Sequence, residues 1–381
     1  MVGVVLAVTA GIVALMGLTG RITVPRTWMH TVAAGLPVAA ISGAFFAAEG
    51  WNLALAIGMT LAVVLGMLAS MVGPAELSSP TGHWVAQAWR LLSLLVVAVV
   101  LGSVVIRWGV TIIAPIPLLN PNGVALVLAV AAVAAAAGAA ALRGLVSTGV
   151  VVMLVLFVLV LVVGVVAGTP STLTAPLLAV SHAPSAWLLL LVPFLLAATN
   201  PALRQIRASG ASIVPGTIVL GVVMLLGLVA LLAFNGGYIT LPSFGFGTVA
   251  GYAGLRSPVP GSIIGALVAL VVLAAAVVSY RSAFEAIREF RSADDAGSGS
   301  WWTGRWATAL AVGIVAVLFA VNYLSLDALL VCATLFAVSG WVVAWWSGRR
   351  PDPDAGSGAA EDDAADTPEI DPVGVGQRPS V

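Results

Sequence analysis

Lysine is absent from this 381-residue chain, and charged residues of every kind make up only 8% of it, against roughly 25% in soluble domains. Without lysine there is no phosphate-binding Gly-x-x-x-x-Gly-Lys sequence, which excludes an ATP-driven pump built from this chain alone. Cysteine is nearly absent too. Cys332 stands alone inside an apolar run, so neither a disulfide framework nor a cysteine metal site can form within one chain. The three histidines, His30, His83 and His182, sit at the ends of apolar runs or between them, without partners at ligand spacing. No His-Glu-x-x-His or Gly-x-Ser-x-Gly sequence occurs. The sequence therefore gives no reason to expect catalytic residues, a bound metal or a cofactor, and the chain reads as a non-enzyme.

What is present is apolar. Hydrophobic residues account for 61% of the chain and its mean hydropathy is +1.14, so the lipid bilayer is the expected solvent and partner. The expected fold is all-α and polytopic, with eleven transmembrane spans: Val2–Thr19, Trp28–Ala48, Leu53–Val72, Leu91–Ile106, Val124–Leu142, Leu145–Gly168, Trp187–Arg207, Ile213–Phe234, Pro258–Tyr280, Trp306–Asn322 and Leu324–Trp346. The formal charge of zero conceals a split. Residues 351–381 hold eight of the fifteen acids and one arginine, leaving 1–350 with fourteen arginines against seven acids. That acidic tail, poor in large apolar residues, is expected to be disordered.

Arginine gives the orientation. With Asn200–Ala211 inside, alternate loops collect Arg21, Arg26, Arg90, Arg143, Arg204, Arg207, Arg281, Arg288, Arg291, Arg305, Arg349 and Arg350, while the opposite side holds only Arg107 and Arg256. The N-terminus is then outside and the C-terminus cytoplasmic. Topology thus accounts for the arginines, so no nucleic-acid partner is expected. A composition dominated by Ala, Val and Gly fits a GC-rich bacterial genome, hence a bacterial inner (plasma) membrane.

The spans divide into an extra N-terminal helix (1–27), a five-helix repeat (28–168), a second five-helix repeat of opposite orientation (169–350) and the tail (351–381). The first span of each half is interrupted. Trp28–Ala48 contains Gly35-Leu36-Pro37 and Ser42-Gly43; Trp187–Arg207 contains Pro193 and stops at Asn200-Pro201. Two discontinuous helices at matching positions of inverted halves are the pattern of a transporter's midplane binding site. The candidate substrate- or ion-binding residues are therefore Ser42, Gly43, Ala44, Pro193, Phe194 and Thr199. Each has a plainer reading as well: Pro193 as a kink in a packed helix, Ser42-Gly43 as a close-packing small pair. No acid lies deep in a span, so coupling to a sodium or proton gradient would fall to backbone carbonyls and to hydroxyls such as Ser42 and Thr199. Farther along, Arg281–Arg291 reads as a short charged helix after its span, with Arg281 and Glu285 one turn apart.

Two stretches resemble a known family. Ile41-Ser42-Gly43-Ala44-Phe45-Phe46 is similar to the Gly-Ser-Gly-Ile-Phe break in the first helix of the amino acid permeases, members of the amino acid, polyamine and organocation superfamily. Asn200-Pro201-Ala202-Leu203-Arg204-Gln205-Ile206 resembles that family's Asn-Pro-x-Arg-x-Ile after its sixth helix, with one residue inserted; Tyr280-Arg281 and Leu326–Leu330 are fainter matches. The resemblance implies a leucine-transporter-like fold and secondary transport of small amino compounds such as amino acids. The chain departs from the family at Ile41, where the motif has glycine. It departs again at Ala197-Ala198-Thr199, where the family carries carboxylates. Two alternatives stay open: an inverted-repeat carrier of the nucleobase or benzoate type, and a non-transporting membrane scaffold. Substrate and oligomeric state are not written in the sequence.

Overall fold

The computed structural model describes residues 26–49, 53–72, 84–113, 121–137, 142–167, 185–234, 258–294 and 326–347, and these form helices and short turns with no strand among them. The helices are α1 (Arg26–Glu49), α2 (Leu53–Ala69), α3 (Trp84–Ile113), α4 (Pro121–Ala137), α5 (Leu142–Ala167), α6 (Ser185–Ala198), α7 (Pro201–Ala208), α8 (Val214–Phe234), α9 (Pro258–Asp294) and α10 (Leu326–Ser347). Val2–Thr19, Trp306–Asn322, the loop 235–257 and the tail 351–381 lie outside the described residues.

α1 is the axis of the bundle. It packs on α2, α3, α5, α6, α7, α8 and α9, and every residue from Thr31 to Gly43 is buried. A helix apolar on all its faces has no side to give to water, and here neighbours cover all of it. α3 and α9 form the most extensive pair, α10 covers α3, α5 and α4 cover α9, and α6 lies along α2. Two helices among the described residues carry segments long and apolar enough to cross a membrane, Ala88–Arg107 and Ile263–Ala286.

Four boundaries differ from the sequence reading. First, Trp28–Ala48 is not interrupted: α1 runs unbroken through Pro37 for 24 residues. Proline removes one backbone donor, and that loss kinks or weakens a helix without ending it when neighbours meet the exposed carbonyls. Second, α6 passes through Pro193 in the same way, and the break comes later, at Thr199-Asn200. Of the two expected discontinuous helices, only the second is discontinuous. Third, Arg281–Arg291 is no separate helix. It is the polar end of α9, a single helix of 37 residues. Fourth, α3 begins at Trp84 and continues to Ile113, taking residues assigned to the loops on both sides.

Candidate functional site

The chain turns sharply between α6 and α7, and the turn is built from local chemistry. A residue before proline is pushed out of the helical region, so Asn200 ends α6 and Pro201, whose ring already holds a helical φ, begins α7. The Asn200 Oδ1 accepts from the Ala202 N–H at 3.0 Å, capping α7. At the other end, Gly210 adopts φ +77 while its N–H donates to Arg207 O at 2.9 Å and the Ala211 N–H donates to Ile206 O at 3.3 Å. That pair of bonds closes the helix with a left-handed glycine, a conformation other residues resist.

Both ends fixed, α7 works as a clamp. Asn200 Nδ2 donates to the carbonyl of Ala34 on α1 at 2.8 Å, a buried bond. Ala34 is next to Ala33, whose carbonyl loses its helical donor at Pro37, so the asparagine bonds α1 in the turn that the proline weakens. Gln205 Nε2 donates to Ser282 O of α9 at 3.0 Å, and Arg207 Nη1 reaches Ser70 O, just past the end of α2, at 3.5 Å. One short helix thus touches α1, α2 and α9 through polar side chains.

Arg204 differs from its neighbours on α7. Its Nε and Nη2 are buried with no hydrogen-bond partner among the described residues. α7 lies outside the apolar candidate spans; burial first, and then the positive charges of Arg90 and Arg207, together hold this guanidinium down to about 10. It remains charged at neutral pH.

The residues expected to form the site are distributed as follows. Ser42 is fully buried and its Oγ donates to Val38 O of its own helix at 3.1 Å; Gly43 is buried beside it, and Ala44 follows in the same helix. Thr199 Oγ1 donates to Leu195 O at 2.6 Å. Such back-bonded hydroxyls satisfy their donors locally and keep acceptor lone pairs. Pro193 is buried, whereas the backbone of Phe194 faces α2: a Cβ placed on Gly66 would stand 2.5 Å from Phe194 O. The two expected spans do meet, α1 against α6 and α7, but the bond that joins them runs from Asn200 to Ala34. Ser42 is eight residues farther along α1, roughly 12 Å at 1.5 Å per residue. Among the described residues no three His, Cys, Asp or Glu side chains are placed to hold a metal ion.

Sequence reasoning missed three features. Asn200 was read as a helix stop, while its second role depends on a residue 166 positions away. Tyr280 and Ser103 meet at 3.2 Å between hydroxyl oxygens, a buried polar pair inside the α3–α9 contact. The only signal for it was two hydroxyl residues within apolar runs. Arg281 pairs with Glu285 at 2.7 Å as its spacing suggested, and its Nη1 also donates to Ala136 O at the end of α4 at 3.2 Å. A cation on a helix's last carbonyls is favourable, though sequence cannot say which helix receives it.

No protein-family model matches the chain, and no curated protein matches it significantly.

Proposed function

We propose that the chain is a polytopic secondary transporter of small amino compounds, of the amino acid permease type, with two inverted five-helix halves. The observation that carries the reading is an exchange pattern in the helix packing. Let α1, α2, α3 and α5 of the first half correspond to α6–α7, α8, α9 and α10 of the second. The pair α1–α8 then mirrors α2–α6, α3–α10 mirrors α5–α9, α1–α5 mirrors α6–α10, α1–α3 mirrors α7–α9, and α1–α9 mirrors α3–α7. Corresponding helices also pack on each other: α1 on α6 and α7, α2 on α8, α3 on α9. Four pairs have no image of similar extent among the described residues: α1–α2, α5–α8, and the two made by α4, α3–α4 and α4–α9, whose counterpart span 306–322 lies outside them. An exchange of this kind is what two inverted repeats about a shared axis require, and in such carriers the substrate meets the first helix of each half.

On this reading, α1 from Pro37 to Ala44 and α6 from Pro193 to Thr199 line the substrate path. Their back-bonded hydroxyls, Ser42 and Thr199, offer lone pairs to a coupling sodium ion, or exchange protons through water, under an ion gradient. Gly43 keeps the α1 backbone open to the substrate. The chain lies in the inner membrane with α7 and the acidic tail on the cytoplasmic side.

Reconstitution into vesicles, with a pooled amino acid and amine panel and imposed sodium or proton gradients, tests this. Gradient-dependent accumulation of at least one compound is expected. Gly43→Leu should abolish it with expression near normal, and Cys332→Ser, at an exposed position on α10, should leave it unchanged. Accumulation of nucleobases instead would select the other carrier type. Absence of uptake for every compound would favour the non-transporting scaffold.

A further inference from the structure

Arg204 holds a charge with no described counterion. The nitrogens left without partners, Nε and Nη2, are the two that form one edge of the guanidinium, the fork whose N–H groups donate side by side to two oxygens of a carboxylate or phosphate. Around it the field is positive. Arg90 is buried on α3, Arg207 lies one turn farther along α7, and both charges act on Arg204. The ion pair Arg281–Glu285 does not involve Arg204. A charged fork stripped of water and facing like charges is a costly arrangement unless an anion completes it.

The setting favours a phosphate. Trp89, beside Arg90, is exposed, stacks on Phe336 with ring centroids 5.4 Å apart, and donates from Nε1 to Ser339 Oγ at 3.2 Å. Trp345 and Trp346, at the end of the same helix α10, are exposed as well. Exposed tryptophans beside arginine mark the headgroup level of a bilayer, where phosphate is the abundant anion. We propose that Arg204, with Arg90 and Arg207 beside it, is a binding site for a phosphate group, supplied by an anionic lipid headgroup or by a free phosphate. Arg204 as a whole residue is only half-buried, so a side-chain rearrangement, and not an opening of the bundle, brings the fork to its ligand. The site does not depend on the chain being a transporter.

The test uses the full chain in neutral detergent, followed by thermal melting and native mass spectrometry. One arm adds phosphatidylglycerol, a second adds phosphatidylcholine, and a third adds inorganic phosphate against chloride at equal ionic strength. Phosphatidylglycerol should raise the melting temperature and stay bound, phosphatidylcholine should do neither, and Arg204→Gln should weaken binding by about tenfold or more. Stabilisation by inorganic phosphate that is lost in Arg204→Gln would identify a free anion as the ligand. Without added anion, Arg204→Gln should melt at or above wild type, because it removes an uncompensated charge. Arg204→Lys keeps the charge and loses the fork, so its affinity should fall between the other two. Equal responses of wild type and Arg204→Gln in every arm, a lysine variant that binds as wild type does, or a glutamine variant far less stable without anion would each overturn the proposal.

Discussion

Asn200 performs two tasks with one side chain: its oxygen caps α7 and its nitrogen holds the α1 carbonyl at Ala34. The two can be separated. Asn200→Ala removes both, and a lost cap together with a lost buried hydrogen bond should cost about 1–3 kcal/mol. Asn200→Asp keeps the capping oxygen and sets a carboxylate against the Ala34 carbonyl, so it should destabilise at least as much as alanine. Unfolding of the detergent-solubilised protein measures both. An aspartate variant as stable as wild type would show that the bond to Ala34 contributes nothing. The sequence told half of this residue's part: Asn-Pro announces a helix stop at any location, whereas the partner on α1 follows only from the assembled bundle. Ser42 and Thr199 were legible as hydroxyls in the two spans expected to be interrupted. That each would turn its proton to its own backbone was not.

Among elements, α2 and α6 show how little a composition reveals about contact. Gly58 and Gly66 lie on one face of α2, eight residues apart, both against α6. A Cβ at Gly58 would sit 3.4 Å from a Leu190 methyl, ordinary contact. One at Gly66 would sit 2.5 Å from Phe194 O and 2.8 Å from the Ala197 Cβ, forcing the two backbones apart. Close backbone approach through small residues is the usual packing of membrane helices. Gly66→Ala should therefore cost about 1–3 kcal/mol by overpacking, while Gly58→Ala should be neutral or slightly stabilising through helix propensity. Equal effects from both, in the same unfolding assay, would contradict the packing seen here. The elements that sequence located best, α8 and α10, are apolar runs ended by clear punctuation: Asn235-Gly236-Gly237 after Phe234, and the charged Arg349-Arg350 after Ser347. The elements it misjudged are those where polarity changes but the helix does not. α9 carries its backbone ladder past Tyr280 into Arg281–Asp294 because arginine and glutamate are good helix formers. Pro37 and Pro193 were read as interruptions within their spans because proline removes a donor, yet each helix persists inside packing that outweighs one lost bond.

At the scale of the whole molecule, α1 is surrounded and α3 and α9 pair beside it. The sequence could propose two halves from span count and arginine sides, because charge against a membrane is a one-dimensional signal. How the helices pack is set by side-chain size over long separations, which no single stretch records. Opposite orientation of the halves is the central claim, and equivalent loops give it a direct test. The connection between the second and third spans should be cytoplasmic in the first half, at Ser78, and external in the second, at Gly247. In a Cys332→Ser background, single cysteines at these positions would be exposed on intact cells to a membrane-impermeant maleimide. Inverted repeats predict labelling of Gly247→Cys at once and of Ser78→Cys only after permeabilisation; labelling of both, or of neither, from outside would contradict them.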